Sequence, residues 1–529
     1  MSFRFTGKQA VRIAGCAVFC LLVCVLAFWN RALILEPVRG LLLDHWSAED
    51  ARRTIQENYL GERFRGKYEL LSLNGGFARL EGRTRYHDVQ LLNNGMLADV
   101  NLRMADTRAF SDNLDRFRRD LEKMGIPFLF VMAPYKVPTE ENLLPPGGRD
   151  TLNAIADQAL SELAERQVPF LDLRQEMSRT AEQVEKYFYR TDHHWNAEGA
   201  FLAYRRIMEA LQARFPETKT TYTDPSLWEK SVLPDWWLGS HGREVGPLYA
   251  GLDDLDLLLP SFETEMSRYS LGVWTLKGDF RQACIREWLL EYQDYFGLDH
   301  FLRYIGGGYP VTLHRNRDAE NPLRLTLLRD SFALPVECFL STEIASLDVV
   351  DPRLYDTMTE MDYITLNPPD MVILMICPGM LHGEYRDYYT DFGAGKVPDA
   401  AGETDLGSLT VSGGAEDSAY LELPARLEPG KSYVLTADQV QVLSGAPDGA
   451  DLALYRGEEL ADQTVFDIDY GNRFGFRWGF RIPEDAGAGE EYRLRLYAGV
   501  SGATAGTALD YQGLRLREYT LEPRQESGE

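Results

Sequence analysis

Histidine is scarce in this chain, 8 in 529 residues. Cysteine is scarcer, 6 in all. Cys16, Cys20 and Cys24 fall in one apolar run near the N-terminus. Cys284, Cys338 and Cys377 remain, an odd number without CxxC spacing, so neither a disulfide framework nor a structural zinc site is indicated. Basic charge is also short: 55 Lys and Arg face 81 Asp and Glu, a formal net charge of −26. A surface of that sign argues against nucleic acid or anionic lipid as the main partner. Disorder is excluded too, because a hydrophobic content of 45% with 12% aromatics is enough to build cores. The length calls for two or three domains.

Long apolar runs are absent but for one. Ile13 to Trp29, "IAGCAVFCLLVCVLAFW", carries no charge. As a helix it spans about 25 Å, near the lower limit for a bilayer, and Ala32 to Leu35 extend it. Arg4, Lys8 and Arg12 precede it and Arg31 follows. The positive-inside rule puts the N-terminus in the cytosol and the bulk of the chain outside. An uncleaved single-pass signal anchor over residues 1–35 is expected, with a cleaved signal peptide as the alternative.

Hydrophobic periodicity organises the rest. Residues 47–60 read as helix. Asn74-Gly75-Gly76 and Asn94-Gly95 predict β-hairpins. Phe110, Leu114, Phe117, Leu121 and Met124 recur at helical spacing. "PFLFVMA" (127–133), helix 150–166, "VPFLDL" (168–173), helix 174–187 and a helix from the N-cap Asn196 to about 214 then alternate. Such alternation predicts a parallel sheet with helices on both faces. Residues 215–320 look like an insertion that shapes a site. Strands resume at 323–330, 344–351 and 370–376. Beyond about 395, short alternating stretches separated by Gly, Pro and Asp predict an antiparallel β-sandwich, with Tyr470, Phe474, Phe476 and Trp478 as core.

Two of the few histidines sit together in "FYRTDHHWNAEGA", residues 188–200. Adjacent histidines diverge on most backbones, and no i,i+4 pair is present, so no metal is assigned. Asp192 and His194 are suited to be the acid and base of a hydrolase-like triad. The remaining member has to come from elsewhere. Ser331 follows the strand "LRLTLLRD" directly, in a strand-to-helix turn that exposes a hydroxyl beside a helix N-terminus.

"TDHHWNAEG", "LLRDSFALP" and "LDVVDPRLYD" resemble the DHHW and AlgX/AlgJ families of SGNH hydrolase-like O-acetyltransferases, and "APYKVPTEENLLP" (133–145) is also similar. The likeness covers roughly residues 45–395. It implies a circularly permuted SGNH-like α/β domain, because the Asp/His loop precedes the serine strand. A carbohydrate-binding-module-like sandwich at 400–522 fits the same scheme more loosely. It further implies Ser331 as nucleophile, His194 as base and Asp192 as orienting acid. Arg353, Lys136, Tyr135 and Trp195 are then candidates for substrate contact. No cofactor is implied. The implied reaction is acetyl transfer through an acetyl-serine to a cell-surface or secreted polysaccharide. The donor partner would be a membrane-bound O-acyltransferase. A carbohydrate acetylesterase and a non-catalytic glycan-binding scaffold stand as alternatives. One departure is visible: "MICPG" (375–379) has no Asn where SGNH esterases carry an oxyanion donor.

Overall fold

The computed structural model describes residues 16–17, 20–21, 23–43, 45–60, 64–270, 274–389, 391–393, 400–413, 420–447, 449–483, 491–499 and 506–519. Two compact units emerge, one of residues 1–89 with 241–251 and one of residues 90–240 with 252–529.

The first unit is helical. Arg31–Leu42, Ala48–Leu60 and Lys67–Leu80 are its main helices. The hairpin expected at Asn74-Gly75-Gly76 is not there, and Lys67–Leu80 runs straight through it. The glycines serve close packing instead. A Cβ on Gly75 would lie 1.9 Å from the Val245 carbonyl oxygen, and one on Gly76 would lie 3.2 Å from Leu248. Among the described residues no helix is long and apolar enough to cross a membrane. Of the run Ile13–Trp29, residues 13–15, 18, 19 and 22 lie outside the described residues.

The second unit is built on an eight-stranded sheet. Its order is Phe170–Asp172, Phe128–Met132, Met371–Ile376, Asn321–Arg329, Ile344–Val350, Val311–Asn316, Met266–Ser270, Trp274–Gly278. The first five strands are parallel. Phe128–Met132 and Met371–Ile376 are buried at every position, so both sheet faces are covered. Phe110 and Phe117 of helix Arg108–Lys123 set their rings against Phe130 and Phe128. Helix Ala333–Glu343 packs on Ala197–Arg214 through Phe339, Phe201 and Tyr204.

The sheet is mixed rather than parallel throughout. Val311–Asn316, Met266–Ser270 and Trp274–Gly278 add antiparallel strands, all from the stretch read as an insertion. Their sequences hid them: Met266–Ser270 is buried at every position yet contains Ser267, Arg268 and Ser270. Helix 174–187 is two pieces, Arg174–Met177 and Ala181–Tyr187, the second opened by a Thr180–Gln183 capping box. The Asn94-Gly95 turn is present, with Leu92 N–H bonded to Met96 O at 2.9 Å.

Residues 400–519 form two antiparallel sheets around a separate core that includes Leu435, Leu452, Phe480, Leu494 and Tyr511. Phe476 and Trp478 are buried there on the strand Phe476–Arg481, while Tyr470 lies on the short helix Ile468–Phe474.

Candidate active site

Strand Asn321–Arg329 ends at Asp330, and the chain turns at Ser331 into helix Ala333–Glu343. Asp330, fully buried, sets that turn. One carboxylate oxygen accepts the Phe332 N–H at 2.9 Å, and the other accepts the Cys377 N–H at 2.7 Å. Ser331 is thereby fixed at the carboxyl end of the central strand, where open α/β sheets place their sites.

The Asp/His loop arrives from the other side of the chain. Phe188 and Trp195 form an isolated antiparallel bridge, and Asn196 caps the next helix through the Gly199 N–H at 3.0 Å. The Trp195 indole donates to the Phe332 carbonyl at 3.0 Å, so the histidine loop is tied directly to the serine turn. The result is a continuous hydrogen-bonded line. Ser331 Oγ lies 2.8 Å from His194 Nε2, and His194 Nδ1 lies 2.7 Å from Asp192 Oδ1. Asp192 Oδ1 also accepts the His194 backbone N–H at 2.9 Å, and Oδ2 accepts the Ser240 N–H at 2.7 Å. Burial alone would raise the Asp192 carboxyl. The charges of His193 and His194 and those hydrogen bonds outweigh it, and hold the group well below the usual carboxylate range.

His193 and His194 do not diverge. Their ring centroids are 3.7 Å apart, and Phe301 stacks on His194 at 3.6 Å and 4°. Asp192, His193 and His194 bring three ligand-type atoms within 4.8 Å of one another. Each is already engaged: His194 Nδ1 with Asp192, and His193 Nδ1 with Ser240 Oγ at 2.7 Å.

The four residues read as substrate contacts behave differently. Lys136 is buried, and its ammonium donates to the carbonyls of Leu97 at 2.8 Å, Arg190 at 3.3 Å and Asp192. Burial lowers its pKa to about 8 against the pull of Asp253 and Asp192. It lies beneath the aspartate loop. Tyr135 is buried with its hydroxyl on the Asp99 carbonyl, and Trp195 is fully buried. All three side chains are engaged within the protein in this structure. Arg353 is partly exposed and forms a two-bond ion pair with Asp351, at 2.9 and 2.7 Å.

Other residues that shape the site carried no local signal. Phe301, Ser240 and Asp253 all come from the insertion. Asp253 accepts the N–H groups of Arg190 and Thr191, each at 2.6 Å, and so fixes the turn before Asp192. Gly239 packs so close that a Cβ would stand 2.5 Å from Asp192 N.

Residues 94–228 match the family model of the SGNH hydrolase-like domain, acetyltransferase AlgX. The matched segment carries Lys136, Asp192 and His194 and ends before Ser331. No curated protein matches the chain. Among solved structures the chain is similar to PatB1 of Bacillus cereus, with 19% identity and a TM-score of 0.49 over 58% of this chain and 99% of that one. It is similar to a DHHW family protein from Eubacterium siraeum, with 17% identity and a TM-score of 0.40 over 56% and 95%. It is also similar to AlgX of Pseudomonas aeruginosa, with 15% identity and a TM-score of 0.33 over 82% and 95%.

Proposed function

We propose that this protein is an O-acetyltransferase that esterifies hydroxyls of a cell-surface or secreted polysaccharide through an acetyl-Ser331 intermediate. The observation that carries the reading is the line Ser331–His194–Asp192, with contacts of 2.8 and 2.7 Å. The match of residues 94–228 to the acetyltransferase AlgX model supports acetyl as the group transferred.

In the first step Ser331 Oγ attacks the acetyl carbonyl while its proton passes to His194 Nε2. The imidazolium then protonates the departing group of the donor. In the second step a sugar hydroxyl gives its proton to His194 and attacks the acetyl-serine, and Ser331 leaves with that proton. Asp192 holds the Nδ1–H throughout and offsets the imidazolium charge. Base catalysis of this kind contributes roughly 10²–10⁴-fold, and an oxyanion donor roughly 10²–10³-fold. We assign the Ser331 N–H as one oxyanion donor. The Cys377 N–H, at the position of the missing Asn, is already held by Asp330. Acetyl delivery by a membrane-bound O-acyltransferase and anchoring by the Ile13–Trp29 run belong to the same proposal.

The test is the intact mass of the protein after exposure to an activated acetyl ester. A gain of about 42 Da on the peptide containing Ser331, absent in Ser331→Ala, is expected. Loss of that mass should accelerate when an acceptor glycan is added. Rapid loss to water with no gain from glycan would make the protein an esterase, and no adduct on folded protein would end the covalent reading.

A further inference from the structure

Within the second unit, the junction of the eight-stranded sheet and the sandwich holds a cavity of about 110 Å³. On the sheet side, Arg324 and Thr326 lie two apart on one strand, in register with Ser346 and Asp348 of the next. Residues two apart share a face of a sheet, and all four line the cavity. On the sandwich side, Gly475, Arg477 and Gly479 alternate with the core residues Phe476, Trp478 and Phe480. A Cβ on Gly479 would lie 2.5 Å from Leu366 Cβ, and one on Gly475 would lie 3.5 Å from Arg324 Nη2. The two glycines let the walls close, and Arg477 between them is the side chain that reaches the cavity.

Acids outnumber bases in this chain, 81 to 55, yet the two arginines lack acid partners. Among the described residues Arg324 makes no ion pair and no side-chain hydrogen bond. Arg477 gives its Nε–H to the Leu366 carbonyl at 2.6 Å and meets Tyr519, but no carboxylate. Burial, with the charges of Arg324 and Arg517, lowers its pKa. Arg517 is itself paired with Glu403 at 2.5 Å. Four hydroxyls of the lining, on Thr326, Ser346, Tyr355 and Thr464, belong to residues more than nine-tenths buried. Among the described residues none of the four makes a hydrogen bond within the protein. Buried hydroxyls normally have partners.

Two unneutralised guanidinium groups and four unengaged hydroxyls around one small space are a set of donors. An anion that accepts in several directions complements it. The acids of the lining do not fill that role. Asp348 is held by Arg315 at 2.7 Å and Tyr363 at 2.8 Å, and Asp467 by Lys277 at 3.5 Å. Asp462 has only the Gln463 N–H opposing its burial, which places it away from both arginines. Size narrows the choice further. One water needs about 10–15 Å³ of such volume, and ordinary ligand pockets start near 300 Å³. A cavity of about 110 Å³ is too small for a sugar chain and large enough for a single tetrahedral ion.

We propose that Arg324 and Arg477 hold a doubly charged tetrahedral oxyanion, of the phosphate or sulfate class, that bridges the sheet and the sandwich. The site is distinct from the serine. Arg324 stands seven residues before Ser331 on the same strand, roughly 23 Å away at 3.3 Å per residue. It does not rest on the acetyl-transfer reading. The test is equilibrium dialysis of the full chain against radiolabelled inorganic phosphate at fixed ionic strength. One phosphate per chain is expected, saturating below about 1 mM. Sulfate should displace it, and acetate should not. Arg324→Gln and Arg477→Gln are each expected to weaken binding at least about tenfold. Ser331→Ala should leave it unchanged, which separates this site from acetyl transfer. Folding is checked without the anion: Arg324→Gln removes one of two like charges, so it should melt at or above the wild-type temperature. No uptake, uptake that never saturates, or uptake that survives in both arginine variants would overturn the proposal. So would acetate displacing phosphate as well as sulfate does, which would reassign the site to carboxylates. A lower melting temperature for Arg324→Gln would show that Arg324 has its partner within the protein, and would overturn it too.

Discussion

At the scale of single residues, the line Ser331–His194–Asp192 rests on buried groups outside it. Lys136 is the clearest. Its pKa of about 8 lies below the ordinary 10.5 because burial penalises the ammonium. Between those two values the unfolded chain holds a proton that the folded chain has released, so stability rises with pH across that window. Lys136→Met removes the slope. In urea melts, the stability of the wild type relative to Lys136→Met is expected to grow by about 1–3 kcal/mol between roughly pH 8 and pH 10. A gap that stays constant would show that the ammonium is not desolvated as the geometry implies. The three members of the hydrogen-bonded line were legible in the sequence because each carries a local mark: a rare histidine beside Asp and Trp, and a serine at a strand end. Lys136, Asp253 and Phe301 were not legible in their roles. Their contacts span 56, 62 and more residues of chain, and nothing local distinguishes a lysine under a loop from one on its surface.

At the scale of elements, periodicity predicted those whose burial is all or nothing. Phe128–Met132 and Met371–Ile376 are apolar and wholly buried. Met266–Ser270 escaped because its burial is shared with polar side chains, Arg268 among them, whose guanidinium donates to the Ile305 carbonyl at 2.8 Å. The Asn-Gly-Gly at 74–76 misled for a related reason. Glycine marks a turn when its dihedrals are unusual, and marks a contact when its missing side chain makes room; sequence alone does not separate the two. A substitution separates them. In an unencumbered helix Gly→Ala stabilises by about 1 kcal/mol. At Gly75 the new methyl would lie 1.9 Å from the Val245 carbonyl oxygen. Gly75→Ala is therefore expected to destabilise its unit by about 1–3 kcal/mol despite the gain in propensity. Amide hydrogen exchange over Lys67–Leu80 checks this: exchange should quicken, and slower exchange would return the glycines to a purely conformational role.

At the scale of the whole second unit, the sheet and the sandwich meet through polar contacts. Tyr269 donates to the Gln463 carbonyl at 2.6 Å, Arg477 to the Leu366 carbonyl at 2.6 Å, and Arg481 pairs with Asp362 at 3.3 Å. Asp462 lies beside them with no cationic partner among the described residues. Burial pushes its carboxyl up to about 7, opposed only by the Gln463 N–H at 2.8 Å. The folded chain then binds a proton between about pH 4 and pH 7 that the unfolded chain does not. Stability contributed by the neutral acid is full below that window, is lost as pH rises through it, and stays lost above. Asp462→Asn keeps the shape and cannot ionise. At pH 8 it is expected to stabilise the unit by about 1–3 kcal/mol, and near pH 4 the difference should close. Calorimetric melts at the two pH values decide the matter. An equal shift at both would mean that Asp462 is solvated, and that the two sheets do not close over it as the contacts of Tyr269 and Gln463 require.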